Sequence, residues 1–229
     1  MDSKFGELFV SLHIPKTGGT SLHNVLSQRF GNGFNTAYGK LAAKSAIIKN
    51  DNHTISCIHG HSIMNEYEHL IASVKNQQWI TFLRDPLEGA ISLYYFTRKS
   101  LNKNPSKPLF EDRGLDAWLL NTEKARWPFP HGYPNNRYSS AIRRTTKSIE
   151  QFDFVGVTER FDESMRCMFS LFGWDNLSYK TRNKGLYTTP HIDPEIVARF
   201  KVNNSKDYTL YNLATKNLDT ALSKYGNPD

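Results

Sequence analysis

The sequence predicts an α/β fold: a parallel sheet flanked by helices, forming one domain across residues 1–229. Three observations lead there. Short apolar runs alternate with segments of helical periodicity, each run ends in polar or glycine residues, and no repeat or low-complexity tract interrupts the pattern. A chain of 229 residues, near the upper range for one domain, can bury a core without staples. With 38% hydrophobic and 22% charged residues, it is not composed like a disordered protein.

The elements follow in order. Residues 8–14 are apolar and strand-like and lead into Pro15-Lys16-Thr17-Gly18-Gly19-Thr20-Ser21. Leu22, Val25, Leu26 and Phe30 then recur at helical spacing, giving strand, glycine turn and helix. A second run, 54–58, ends at His59-Gly60-His61. A third, 79–83, ends at Arg84-Asp85-Pro86, and Leu87, Ala90, Ile91, Tyr94 and Tyr95 continue as a helix. The fourth, 152–157, precedes Thr158-Glu159 and a helical pattern over 161–172. Residues 102–108 and 127–136, rich in proline, asparagine and lysine, read as surface loops, and 193–225 is helical in pattern. Open α/β sheets bind ligands beyond the carboxyl ends of their strands, so the four polar clusters are expected on one edge.

Lysine and arginine number 29 against 22 acidic residues, a net charge of +7 that favours an anionic partner. Nucleic acid, a membrane surface, a nucleotide and an acidic glycan all satisfy that charge. Cys57 and Cys167 lie outside any CxxC or Cys/His cluster, which argues against a disulfide framework or structural zinc and for buried, reduced thiols. Residues 8–14 are too short a run for a signal peptide or membrane span, and no window approaches ~18 apolar residues. The expectation is a soluble chain without an export signal.

The turn at Lys16 to Ser21 carries the chemistry. Paired glycines allow a tight turn, and the amides of Gly18, Gly19, Thr20 and Ser21 at a helix N-terminus suit a phosphate. Thr20 and Ser21 add hydroxyls and Lys16 adds a full charge; the plain alternative is a strand-to-helix turn capped by Thr20. In a GxxxxGK[ST] loop the lysine follows the glycines, whereas here it precedes them. That disfavours magnesium-ATP phosphotransfer, although a small-molecule or nucleotide kinase stays open, as does a non-enzymatic polyanion-binding module. No nucleic-acid-binding motif is present, so nucleic acid is not the expected partner.

These residues carry a family resemblance. The segment from His13 to Leu22, HIPKTGGTSL, resembles the 5′-phosphosulfate loop of sulfotransferases that use 3′-phosphoadenosine 5′-phosphosulfate (PAPS). Phe82-Leu83-Arg84-Asp85-Pro86 followed by Ser92 resembles their 3′-phosphate motif. Within that superfamily the chain looks most like the heparan sulfate 2-O-sulfotransferase group of carbohydrate sulfotransferases, because IHGH at 58–61, RDPLEGAISLYYF at 84–96 and FDFVGVTERF at 152–161 occur in the same order. The likeness is close to about residue 99 and again over 152–172, and loose beyond.

The resemblance implies a P-loop-like sheet, PAPS as donor, adenosine 3′,5′-bisphosphate (PAP) as product, no metal, and a hydroxyl acceptor, expected to be a glycan. Lys16, Thr17, Gly18, Gly19, Thr20 and Ser21 would hold the 5′ side, and Arg84 and Ser92 the 3′-phosphate. Arg182, in the basic stretch 179–185, would close over the nucleotide. His61 would take the acceptor proton, His59 would orient it or bind acceptor, and Lys16 would stabilise charge on the departing oxygen. Gly89 departs from the family, which often has a second arginine there. Glu159 reads equally as a carboxylate near the acceptor and as a helix cap. Arg137, Arg143, Arg144 and Lys147 could bind an acidic glycan, but a solvated helix face is the favoured reading. The expected location is a bacterial-type cytoplasm, unless the chain is an excised Golgi luminal domain.

Overall fold

The computed structural model describes residues 7–39, 55–101, 114–120, 132–145, 147–174, 179 and 191–225. Among the described residues are five parallel strands: β1 (Glu7–Leu12), β2 (Phe34–Ala37), β3 (Cys57–Gly60), β4 (Asn76–Leu83) and β5 (Phe154–Val157), in the order β2-β3-β1-β4-β5. The helices are α1 (Gly19–Phe30), α2 (Ile63–Ser73), α3 (Pro86–Leu101), α4 (Gly114–Leu120), α5 (Arg137–Arg143), α6 (Phe161–Phe172), α7 (Pro194–Asn203) and α8 (Ser205–Tyr225).

Strands buried on both faces need apolar residues throughout, and Val10, Ile58 and Ile80 in the three central strands have no exposed surface. Leu22, Val25 and Leu26 of α1 and Met165 and Met168 of α6 complete this core at helical spacing. A second cluster joins Ala90, Leu93 and Tyr94 of α3 to Trp118, Leu119, Tyr133 and Phe200. The register pairs Leu12 with both Gly60 and Thr81, and Leu83 with Val157. The polar clusters after β1, β3, β4 and β5 therefore share the carboxyl edge, as expected of this fold.

Several elements differ from the sequence reading. The strand expected at 54–58 lies at Cys57–Gly60, so His59 is inside the sheet instead of beyond it. Parallel pairing of His59 with Ser11 on one side and Thr36 on the other extends the ladder that far. β2 and α2 were not anticipated, and the helical tail divides at Asn204 into α7 and α8. The expected surface loop ending at 136 instead returns to the interior, where Tyr133 is fully buried and its amide donates to the Trp118 carbonyl. Cys57 and Cys167 are free, buried thiols. No helix among the described residues is long and apolar enough to cross a membrane.

Candidate functional site

The turn after β1 depends on two glycines for different reasons. Gly18 has φ 85°, a left-handed conformation that side chains resist, and serves as the N-cap of α1. Gly19 is a matter of space: a Cβ there would lie 1.8 Å from His13 Nε2. Thr20 is exposed on the first turn and is not the cap of the helix, because the N-cap is Gly18. Two of the expected contributors face inward. The Thr17 hydroxyl donates to the Ile14 carbonyl at 2.7 Å, and the Ser21 amide donates to the Gly18 carbonyl at 3.1 Å. The Ser21 amide is thus taken up within the first turn of α1.

Lys16 also adopts positive φ, 73°, which is uncommon outside glycine and places a strained residue at the carboxyl edge. Its Nζ lies 4.5 Å from the centroid of the Phe96 ring on α3. Ser92, one turn earlier on α3, is only 7% exposed, so it is not a solvent-facing hydroxyl. Burial, followed by the positive charges of Arg84 and Arg137, lowers the Lys16 pKa. Three cations brought within range of one another favour an anion among them.

Arg84 leaves the end of β4 and is held by carboxylates, 3.5 Å from Glu88 and 3.7 Å from Glu159. Glu159 accepts from the Asp85 amide at 3.1 Å and from the Tyr211 hydroxyl at 3.2 Å. Asp85 accepts from the amides of Leu87 and Glu88 and so starts α3. Of the two readings of Glu159, the helix cap gives way: it supports the Arg84 turn, and Arg160 is the N-cap of α6. The departure at Gly89 has a steric cause, because a Cβ there would lie 2.7 Å from the buried Tyr138 hydroxyl, leaving no room for an arginine.

The other side of the edge is a stack of imidazoles. His59 is fully buried, its Nδ1 is 2.9 Å from Ser11 Oγ, and desolvation pulls its pKa down to about 3. It stays neutral and out of an acceptor's reach, so of its two expected roles only orientation fits. His13 stacks on His59 with centroids 5.0 Å apart and lies against His61 at 4.4 Å. Its Nδ1 is 3.0 Å from the Tyr38 hydroxyl, and burial lowers its pKa well below the usual value.

His61 is exposed at the end of β3 with Nδ1 2.5 Å from the His13 carbonyl. A carbonyl can only accept, so Nδ1 carries the proton and the lone pair of the neutral ring lies on Nε2. Desolvation lowers the His61 pKa, the bond to His13 opposes this, and the positive charge of Arg137 lowers it further. Among the described residues no three His, Cys, Asp or Glu side chains are grouped to hold a metal ion.

The basic cluster on α5 separates. Arg143 and Arg144 are exposed, and Lys147 lies over the Trp79 ring at 5.3 Å. Arg137 is buried, and its Nη2 donates to the Pro15 carbonyl at 2.9 Å. Sequence reasoning placed it with its neighbours on a solvated face and gave no role to Ser11 or His13. A signal for Arg137 existed: it opens α5, where the helix dipole disfavours a cation. Arg182 lies outside the described residues.

Fold and site together define a P-loop-like α/β protein that can hold an anion beside a neutral imidazole. The chain belongs to the sulfotransferase family, whose model matches residues 6–214. Its fold is similar to the crystal structure of a sulfotransferase from Alicyclobacillus acidocaldarius, with 15% identity and a TM-score of 0.50 over 90% of this chain and 95% of that one. At that identity the likeness concerns the fold. A search of curated proteins gives no significant match. Family membership makes sulfuryl transfer the reaction class.

Proposed function

We propose that this sulfotransferase moves the sulfuryl group of PAPS to a hydroxyl of a carbohydrate acceptor and releases PAP, as in the heparan sulfate 2-O-sulfotransferase-like group. One observation carries the reading. Within four consecutive residues, the His13 carbonyl fixes His61 as a base with a free Nε2, while Lys16 stands in the field of Arg84. A donor with anions at both ends of an adenosine needs such separated cations, and the acceptor hydroxyl needs a neutral base nearby.

In this reading Lys16 and the amides at the front of the Gly18–Gly19 turn bind the 5′ side, and Lys16 stabilises charge on the bridging oxygen as it leaves. Arg84 and Ser92 hold the 3′-phosphate, with Glu159 and Glu88 fixing the guanidinium until that anion arrives. His59 stacks on His13, whose ring lies tilted against His61 and holds it in place. Bound PAPS supplies the activated sulfuryl group.

The test is incubation with PAPS and a panel of glycans and simple alcohols, following PAP and sulfated acceptor by mass spectrometry. PAP formation coupled to a sulfated glycan is expected. Thermal stabilisation by magnesium-ATP but not by PAP, with no sulfated product, would contradict the proposal.

A further inference from the structure

We propose that Arg137 is a catalytic residue of the sulfuryl transfer, its guanidinium holding the non-bridging oxygens of the moving group between Lys16 and His61. This rests on the PAPS reading above. The His13–Lys16 segment positions all three groups: the His13 carbonyl holds His61 Nδ1, the Pro15 carbonyl accepts from Arg137 Nη2, and Lys16 follows at positive φ. Base, guanidinium and lysine are thus set by one short backbone stretch.

Arg137 is 7% exposed, and burying a guanidinium is unfavourable unless the surroundings compensate. The fold secures its position from the far end of the chain. The Asn136 amide donates to Asn204 Oδ1 at 2.9 Å, its side-chain nitrogen donates to the Asn203 carbonyl at 3.1 Å, and its Oδ1 accepts from the Lys206 amide at 3.1 Å. Asp207 accepts from the amides of Tyr138 and Ser139, at 2.9 and 3.0 Å, which anchors the first turn of α5. The starts of α5 and α8 therefore cap each other, directing Arg137 toward Pro15. Its charge acts on both Lys16 and His61, which places it within electrostatic range of leaving group and base.

The chemistry suits a guanidinium. As the acceptor O–H proton passes to His61 Nε2, the acceptor oxygen bonds to sulfur, and the bond from sulfur to the bridging oxygen breaks with its electron pair staying on the 5′-phosphate. The sulfuryl oxygens remain anionic throughout, and a planar cation that does not lose its proton can follow them between the two oxygens.

The experiment compares Arg137→Lys and Arg137→Gln with wild type by steady-state kinetics on PAPS, PAP calorimetry, and pH profiles of kcat/KM, with thermal melts confirming folding. Expected are PAP affinities within about threefold of wild type and a kcat about a hundredfold lower in R137Q. The acidic limb should move to higher pH in R137Q, which loses the charge, and stay in place in R137K, which recovers part of kcat. A kcat within about threefold of wild type in both variants, or PAP affinity falling in parallel with kcat, overturns the role. If R137Q does not fold, R137K decides: lowered kcat with PAP affinity and pH limb retained supports the role, and unchanged kcat overturns it. A wild-type enzyme that makes no PAP from PAPS instead sinks the underlying reading.

Discussion

The two sides of the sheet's carboxyl edge respond to burial in opposite ways. On the side of β3 and β1, desolvation keeps His59 within β3 and His13 just after β1 uncharged and lowers the pKa of His61. On the β4 side, Arg84 is paired with Glu88 and Glu159, and its positive charge reaches Lys16 on the turn after β1. A histidine can shed its proton to escape desolvation, and an arginine cannot. Under the proposed function, one edge would thus supply a base on one side and an anion pocket on the other.

The largest effect is expected from removing the proposed base. His61→Ala should lower kcat by roughly 10²–10⁴-fold with PAP affinity unchanged, measured by initial rates and calorimetry. Near-wild-type turnover with every active acceptor would break the division between the two sides. On the cationic side, Arg84→Ala should weaken PAP binding about ten- to a hundredfold, read by the same calorimetry, and leave the pH limb set by His61 in place.

The imidazole stack gives smaller effects. Gly19→Ala drives a methyl into the His13 ring, where the Cβ would stand 1.8 Å from Nε2. It should cost about 1–3 kcal/mol of stability in urea unfolding. Tyr38→Phe removes the hydroxyl bonded to His13 Nδ1 and should lower kcat less than about tenfold. The pH profile sharpens the contrast. Only neutral His61 can accept a proton, and its pKa is lowered from 6.5, so kcat/KM should rise through a limb below pH 6.5 and hold above it.

Much of the fold was legible because parallel strands buried on both faces read as apolar runs, as in β1, β4 and β5. The strand Phe34–Ala37 was not, because four residues of mixed polarity at the sheet edge carry little pattern. His59 was read as lying beyond its strand, since a histidine among apolar residues looks like a strand end. What keeps it inside is Ser11 on the neighbouring strand, a partner that only the register reveals. Lys16 and the paired glycines were singled out from local chemistry and Arg84 from the family resemblance, and all of them lie at the carboxyl edge of the sheet. Arg137 could not be placed by its neighbours in sequence, because the carbonyl it binds is on Pro15 and the groups that hold its helix come from Asn204 and Asp207.

The central claim is that a single adenosine nucleotide spans the turn after β1 and the arginine after β4. A crystal structure of the PAP complex tests it most directly. The 5′-phosphate is expected on the Lys16–Thr20 turn and the 3′-phosphate within hydrogen-bonding distance of Arg84 and Ser92. A nucleotide seated elsewhere on the molecule, or with both phosphates on one side of that edge, would contradict it.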